Sequence, residues 1–281
     1  MLRNTFCHIP GIGEKTEKRL WSAGIISWDT AARSLSVQLP GPIQQSLSRN
    51  IEESIRNYER RNARYFAENM ENKHHWRLYR DFQDCCAFVD IETTGLHPQA
   101  EITTIVLYDG RSIRFYVNGQ NLDHFVRDIQ EYRVLVTYSG KHFDVPRIER
   151  YFGIKLNLAH IDLRYPLNRL GLDGGLKECE RRVGIARPGL EGINGFVAVL
   201  LWNDYKYRRN SKALETLLAY NIQDTIALHV LMVHTYNEMV KQTPFSSSHS
   251  IPTPSLPPIP FEADHDTVKR VCRHLLQSWG Y

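Results

Sequence analysis

This sequence predicts a mixed α/β fold: one five-stranded sheet with helices on both faces, preceded by a small all-α region. Three observations carry the prediction. First, three short β-type runs follow one another, "CCAFVDI" at 85–91, "EITTIVLY" at 101–108 and "RSIRFYV" at 111–117. The turn residues "LHPQ" and "DG" separate them, the pattern of an antiparallel meander. Second, helix and strand then alternate: helical "NLDHFVRDIQ", a strand in "RVLVTYS", helical "VPRIERYF" and a short strand in "AHIDL". Three strands followed by αβαβ argue a mixed sheet covered on both sides. Third, the segments before residue 79 and after residue 163 read as helical, which supplies the covering layers.

Five segments are expected along the chain. Residues 1–42 contain "HIPGIGEKTEKRLWSAGIISWDTAA". Gly11 and Gly13 flank Ile12 in a tight turn, a helical pattern runs through Thr16 and Leu20, and Gly24 closes it before Ile25 and Trp28. Two short helices joined in this way expose backbone N–H groups at the start of the second, a natural seat for phosphate. Gly11, Gly13 and Lys15 are the residues such a seat would use; the alternative is a glycine turn between packing helices. Residues 43–78 read as a helical connector, a single helix from Ile43 to about Met70. Ile51, Ile55 and Tyr58 take core spacing, and Arg56, Arg60, Arg61 and Arg64 lie on the solvated remainder. Residues 79–241 hold the sheet and its helices. "GGLKECERRVG" reads as a helix starting after Gly174 and Gly175, with Leu176 and Val183 inward; 210–240 reads as a shorter helix and then a long one, with Ile222, Leu228, Leu231 and Met239 in the core. Residues 242–262 are rich in Pro and Ser and read as linker. Residues 263–281 form an amphipathic helix with Val268, Val271, Leu275 and Trp279 on one side. It is expected to pack back on the protein, with a protein partner as its other use.

Composition narrows the function classes. At 281 residues and 42% hydrophobic content, the chain can bury a sizeable core. Residues 1–80 carry 13 Lys and Arg against 8 Asp and Glu, and the remainder 22 against 23, so the basic surplus sits in the N-terminal part, where it suits a polyanion-binding appendage. The five cysteines form no CxxC pair, which argues for buried thiols over a metal site. No stretch reads as a run of about 20 apolar residues, and "MLRNTFCHIPGIG" lacks the apolar centre of a signal peptide; a cytoplasmic protein without membrane contact is the expectation.

The chemistry concentrates in four carboxylates. In "FVDIETTGL", residues 88–96, Asp90 and Glu92 stand one residue apart within an apolar run. Alternate side chains of a strand share a face, so both acids point the same way. Burying such charge costs several kcal/mol unless a partner compensates, and a cation is one such partner. Asp144 follows the fourth strand in "VTYSGKHFDVPRIER", and Asp224 lies inside the amphipathic helix "LLAYNIQDTIALHV". Four carboxylates are what two divalent ions about 3.5 to 4 Å apart require of a protein that leaves the other positions to phosphate and water. Oxygen ligands select Mg²⁺ or Mn²⁺. Tyr220 precedes Asp224 by four residues and shares its helix face. A phenol with an ordinary pKa near 10 is a poor base at neutral pH, so its expected task is to orient a water.

These residues resemble the DEDD, or DnaQ-like, 3′–5′ exonuclease superfamily. Asp90-Ile-Glu92-Thr93 is similar to its first motif, Phe143-Asp144 to its second, and Tyr220-x-x-x-Asp224 to its third. The tyrosine is the mark of the DEDDy branch; Ala219 stands where the other branch has histidine. "HIDLRYPL", "GGLKECE" and the YN-x-x-D form of the third motif resemble YprB-type RNase H-like nucleases, over roughly residues 75–240. The N-terminal turn resembles a helix-hairpin-helix element, a sequence-tolerant DNA backbone binder. The resemblance implies an RNase H-like fold, two divalent cations (Mg²⁺ or Mn²⁺), and a nucleic-acid 3′ end as substrate, single-stranded DNA before RNA. It also implies that Thr93, Gly95 and Leu96 meet the terminal nucleotide, although a strand-to-helix turn accounts for them too. Ser139 departs from the asparagine often found four residues before the motif's phenylalanine, which bears on how that nucleotide is held. Phe143 would stack on a base or pack in the core, Lys177 would contact phosphate or lie on a solvated helix, and Asp162 would support the site. Two other readings stay open: internal cleavage of branched DNA or RNA–DNA hybrid, and nucleic-acid binding without catalysis.

Overall fold

A computed structural model describes residues 1–33 and 41–278, with side chains through residue 273. A 3₁₀ turn at Leu2–Asn4 precedes helices α1 (Glu14–Ser22), α2 (Trp28–Arg33), α3 (Gly41–Glu59) and α4 (Ala63–Glu68). Trp28 is the pivot of this region: it is fully buried, stacks on Phe66 with ring centroids 5.7 Å apart, and donates its indole N–H to Thr5 O at 2.7 Å. Gly11 adopts φ +82°, the left-handed conformation the tight turn demands, and Gly13 caps α1. The expected single helix from Ile43 to Met70 is two helices. The chain breaks at residues 60–62, where Arg61 turns to φ +52° and the Asn62 side chain caps α4 by accepting the Tyr65 N–H.

A 3₁₀ stretch, Asn72–Leu78, and the short α5 (Tyr79–Phe82) lead into the sheet. Its strands are β1 (Cys86–Thr93), β2 (Ile102–Tyr108), β3 (Ile113–Val117), β4 (Val134–Thr137) and β5 (Ala159–Asp162). They lie in the order β3-β2-β1-β4-β5, antiparallel through β3, β2 and β1 and parallel through β1, β4 and β5. The mixed five-stranded sheet is therefore as the sequence predicts. Helices α6 (His124–Asp128) and α7 (Asp144–Phe152) occupy the crossovers. They cover the face formed by Val89, Ile91, Ile105, Leu107 and Leu135. The opposite face, from Phe88, Val106, Tyr108, Val134 and Val136, belongs to a core that runs into the N-terminal helices through Leu2, Phe6 and Trp21. Arg77 seals that junction with an ion pair of 2.7 Å to Glu17, both nearly water-free. Strand periodicity puts Asp90 and Glu92 on the Phe88 side, toward the helical layer described next.

That layer consists of α8 (Arg164–Arg169), α9 (Leu176–Val183), α10 (Gly195–Arg208) and α11 (Ser211–Lys241). The sequence reading missed α10 and divided α11. Asn194 and Asn210 are the local explanation, since each caps the following helix through its side-chain oxygen, and nothing in 211–241 is Gly or Pro. α11 is long and apolar enough to cross a membrane by length and composition, a property overlooked in the sequence; 89% of its most apolar window is buried, as expected of a core helix. Ile222, Leu228, Leu231 and Met239 all lie in the core.

Beyond the short α12 (Ser246–His249), the proline-rich segment has no regular structure, yet it is strapped to the body. Asn237 holds Ile251 by two hydrogen bonds to its backbone, and Ile251, Ile259 and Phe261 pack on the core. Helix α13 (His265–Ser278) packs back as expected. Val271 is buried against the α10–α11 layer and Arg270 grips Asp204 with two bonds of 2.7 and 2.6 Å. The Leu275 side chain and Trp279 lie outside the described residues.

Candidate metal centre and active site

Strand β1 and helix α11 bring Asp90, Glu92 and Asp224 to one point, with carboxylate oxygens all within 4.8 Å of one another. β1 delivers the first two on one face, and α11 crosses that face. Glu92 and Asp224 are 9% and 5% exposed and Asp90 is half-buried, so the three charges sit close together with little solvent. Asp144 is the first residue of α7 and is 4% exposed. Its carboxylate accepts the Ile91 N–H and repels both Asp90 and Glu92, so it borders the trio across β1 without joining it.

Burial raises the pKa of each acid, and mutual repulsion adds to the effect. Asp90 is pushed well above the carboxylate range by desolvation, then by Asp144, Asp224 and Glu92. Glu92 is raised by desolvation and Asp224. Asp224 rises by desolvation, against the pull of Arg187 and Lys177. Asp144 is pushed up to about 7 by desolvation, against two backbone N–H donors. Four carboxylates facing two resident cations form a site short of positive charge, and an all-oxygen donor set fits a hard divalent ion. A carboxyl with a higher pKa folded than unfolded binds more protons when folded, so its contribution to stability falls as pH rises. In EDTA, wild type should therefore lose stability relative to Asp144→Asn between about pH 4 and about pH 7. A melting-temperature difference that stays flat with pH contradicts this.

Neighbouring side chains fix the acids. Asn221 donates its amide N–H to Asp90 Oδ2 at 2.7 Å and accepts the Thr104 hydroxyl at 2.9 Å. The sequence reading assigned Asn221 no role, although the YN-x-x-D form contains it. Asn221→Ala should weaken Mn²⁺ binding about 10- to 100-fold, the usual cost of losing a partner behind a ligand; calorimetric titration measures it. Tyr220 hydrogen-bonds Asp224, and burial raises its phenol far above the ordinary value, so the group stays protonated. Lys177 is half-buried, not solvated: its ammonium donates to Ile193 O and stands 4.4 Å from the Tyr220 ring centre. Arg187 donates to Asp224 and, at 2.6 Å, to Glu180. Glu180 and Arg187 were missed too, and the signal for Glu180 was an acid on the Leu176–Val183 face of α9.

The other residues singled out in the sequence lie outside the carboxylate trio. Thr93 donates its hydroxyl to Gly95 O at 2.7 Å, Gly95 takes φ +153°, and Leu96 is 83% exposed. Arg147 bonds Leu96 O at 2.9 Å and lies 3.6 Å over the half-buried Phe143 ring, which also packs on the core. Ser139 takes φ +62°; its backbone N–H and those of Lys141 and Arg164 all donate to Asp162, so Asp162 organises the loop that carries Asp144. At the N-terminal turn, Gly11, Gly13 and Lys15 are exposed. The first turn of α1 carries Glu14 and Glu17: Glu14 is bonded by Arg169 at 2.8 Å, and Glu17 accepts the Phe6 N–H at 2.7 Å. The positive end of that helix therefore already faces carboxylates.

No curated protein matches the chain. A solved structure of the family B DNA polymerase from the hyperthermophilic archaeon Pyrobaculum calidifontis matches 54% of this chain at 15% identity and a TM-score of 0.39; the match spans 25% of the polymerase chain. A family model of the RNase H superfamily matches residues 87–236, from the second residue of β1 to within five residues of the end of α11. With the matched segment reaching every strand of the sheet and every acid of the candidate centre, this chain belongs to the RNase H superfamily.

Proposed function

We propose that this protein is a divalent-metal-dependent nuclease that removes nucleotides from the 3′ ends of nucleic acid. The observation that carries the reading is the meeting of Asp90, Glu92 and Asp224 within 4.8 Å at the junction of β1 and α11, with Asp144 alongside. Membership of the RNase H superfamily supports a phosphodiester substrate. Asp90, Glu92, Asp144 and Asp224 would hold two Mg²⁺ or Mn²⁺ ions. Bound there, such ions supply activation of water and stabilisation of the leaving 3′ oxygen. The protein's own groups do the placing. Tyr220, held protonated by burial and donating its O–H to Asp224, orients the attacking water through its phenol oxygen without acting as its base. Leu96, projecting into solvent, meets the terminal nucleotide beside Thr93 and Gly95. Lys177, beside Tyr220 and close in charge to Glu92 and Asp224, offsets the acids. The exposed turn at Gly11, Gly13 and Lys15 touches the substrate backbone farther along.

The test is product length over time on 5′-labelled single-stranded DNA and the matching RNA, with Mg²⁺, Mn²⁺ or EDTA, and with circular DNA alongside. A metal-dependent ladder shrinking from the 3′ end, with circles untouched, is the expected result. Cut circles or discrete internal products would replace it with an endonuclease, and binding without cleavage would refute catalysis.

A further inference from the structure

Arg187 bridges two acids of different kinds. One side of its guanidinium bonds Asp224, inside the carboxylate trio; the other bonds Glu180 Oε2 at 2.6 Å, on α9 behind the trio. Its side chain is only 13% exposed, against 1% for Glu180 and 7% for Asp224. Glu180 is hard to explain as a structural residue, because burial pushes its carboxyl up to about 7 and a core position gains nothing from an acid. Moreover, among the described residues its second oxygen, Oε1, is buried without a hydrogen-bond partner. A carboxylate and a guanidinium form their strongest pair when two parallel N–H groups meet both oxygens. Arg187 reaches Glu180 through Nη1 alone; its Nη2 lies on Asp224, and its Nε is buried without a hydrogen-bond partner among the described residues. Glu180 Oε1 is an open acceptor beside a guanidinium whose Nη2 end is drawn off to Asp224. A guanidinium on Asp224 also competes directly with any cation for that carboxylate.

We propose that Arg187 is an exchangeable counter-ion. It neutralises Asp224 until a divalent cation arrives, then gives Asp224 up and closes both N–H groups on Glu180. Glu180 is the positioning residue that makes the release cheap, since the freed donor finds Oε1 instead of an apolar wall. The exchange rests on the reading that the trio binds divalent cations, and it adds an ordered step to that reading: metal loading precedes, and causes, the withdrawal of Arg187. A fixed brace, the opposite role, would hold Asp224 in place for the metal and stay bonded to it.

The two roles predict opposite signs for Mn²⁺ affinity. Titration of the full-length protein with Mn²⁺ alone, followed by electron paramagnetic resonance or calorimetry, should give Arg187→Gln a dissociation constant lower than wild type by about tenfold or more, since one nearby positive charge and its competition are removed. Weaker or unchanged binding by a folded Arg187→Gln overturns the exchange. Should that variant fail to fold, a crystal structure of wild type with Mn²⁺ decides. Arg187 paired with both oxygens of Glu180 and off Asp224 supports the exchange; Arg187 still on Asp224 overturns it. Wild type that binds no Mn²⁺ overturns the metal reading itself and the exchange with it, a result distinct from tight wild-type binding that Arg187→Gln fails to improve.

Discussion

Asp90→Asn should cut 5′-labelled single-stranded DNA at least about a thousandfold more slowly than wild type, and in EDTA it should melt at a higher temperature. The first effect follows from the chemistry the carboxylate supports. Metal-held charge stabilisation is worth several kcal/mol of barrier, and each 1.36 kcal/mol is a factor of about ten in rate. The second follows from what the carboxylate does without metal. Asp90 stands half-buried beside Glu92 and Asp224, is repelled by Asp144 as well, and is held by one hydrogen bond from Asn221. An asparagine keeps the side chain's size, can still accept the Asn221 N–H, and removes one of the mutually repelling charges. Activity lost together with stability would mean only that the fold was damaged. Lost activity with gained stability is the signature of a site arranged for a ligand and strained in its absence. Turnover within tenfold of wild type would sink the assignment of Asp90 as a metal ligand.

The parts of the site that could be read from sequence are those encoded by local periodicity. Asp90 and Glu92 share a face because strand side chains alternate, and Tyr220 and Asp224 because a helix repeats every 3.6 residues. The sheet was legible for the same reason, since its strands are short apolar runs punctuated by turns. Arg187 and Glu180 belong to a different class. Arg187 meets Asp224 across 37 residues of chain, and nothing in "GIARPG" distinguishes a buried guanidinium from a surface one. Lys177 misleads in the same way, because only tertiary packing turns it inward over Tyr220. Asn221 was visible as a letter in a motif, but its function depends on Thr104, which reaches it from β2. Helix α10 was missed because its first two turns are apolar all round: Val197, Ala198, Leu201 and Trp202 are buried, but Phe196, Val199 and Leu200 between them are apolar as well, so no single stripe announces it. Likewise, the proline-rich segment has a composition that usually marks a linker. Its scattered apolar residues find a body to pack on only once the fold exists.

Gly140→Ala should lower kcat about a hundredfold and cost about 3 kcal/mol of stability, although no acid of the site is touched. A Cβ at residue 140 would lie 2.2 Å from Thr137 Oγ1, 2.6 Å from Thr137 Cβ and 2.8 Å from Thr137 Cγ2. Thr137 cannot turn aside. It is fully buried at the end of β4, its hydroxyl accepts the Gly140 N–H at 3.1 Å, and the same oxygen is 2.8 Å from His160 Nε2. The strain must therefore move the loop between β4 and α7. That loop is pinned at both ends, by the Ser139 and Lys141 amides on Asp162 and by the Val145 N–H on Gly140 O at 2.9 Å, so a shift at residue 140 travels to the first turn of α7, where Asp144 begins. Displacing a catalytic group by about 1 Å suffices for a hundredfold loss. Gly153→Ala supplies the comparison at the other end of the same helix. Gly153 takes φ +66° with nothing within 4 Å of its would-be Cβ, so alanine there costs about 1 kcal/mol through backbone strain alone and leaves the Asp144 end in place. Chemical denaturation together with kcat for both variants separates the two effects: stability falls in each, but activity collapses only in Gly140→Ala. Equal activity in the two would show that Asp144 owes its position to α7 itself and not to the contact between Gly140 and Thr137.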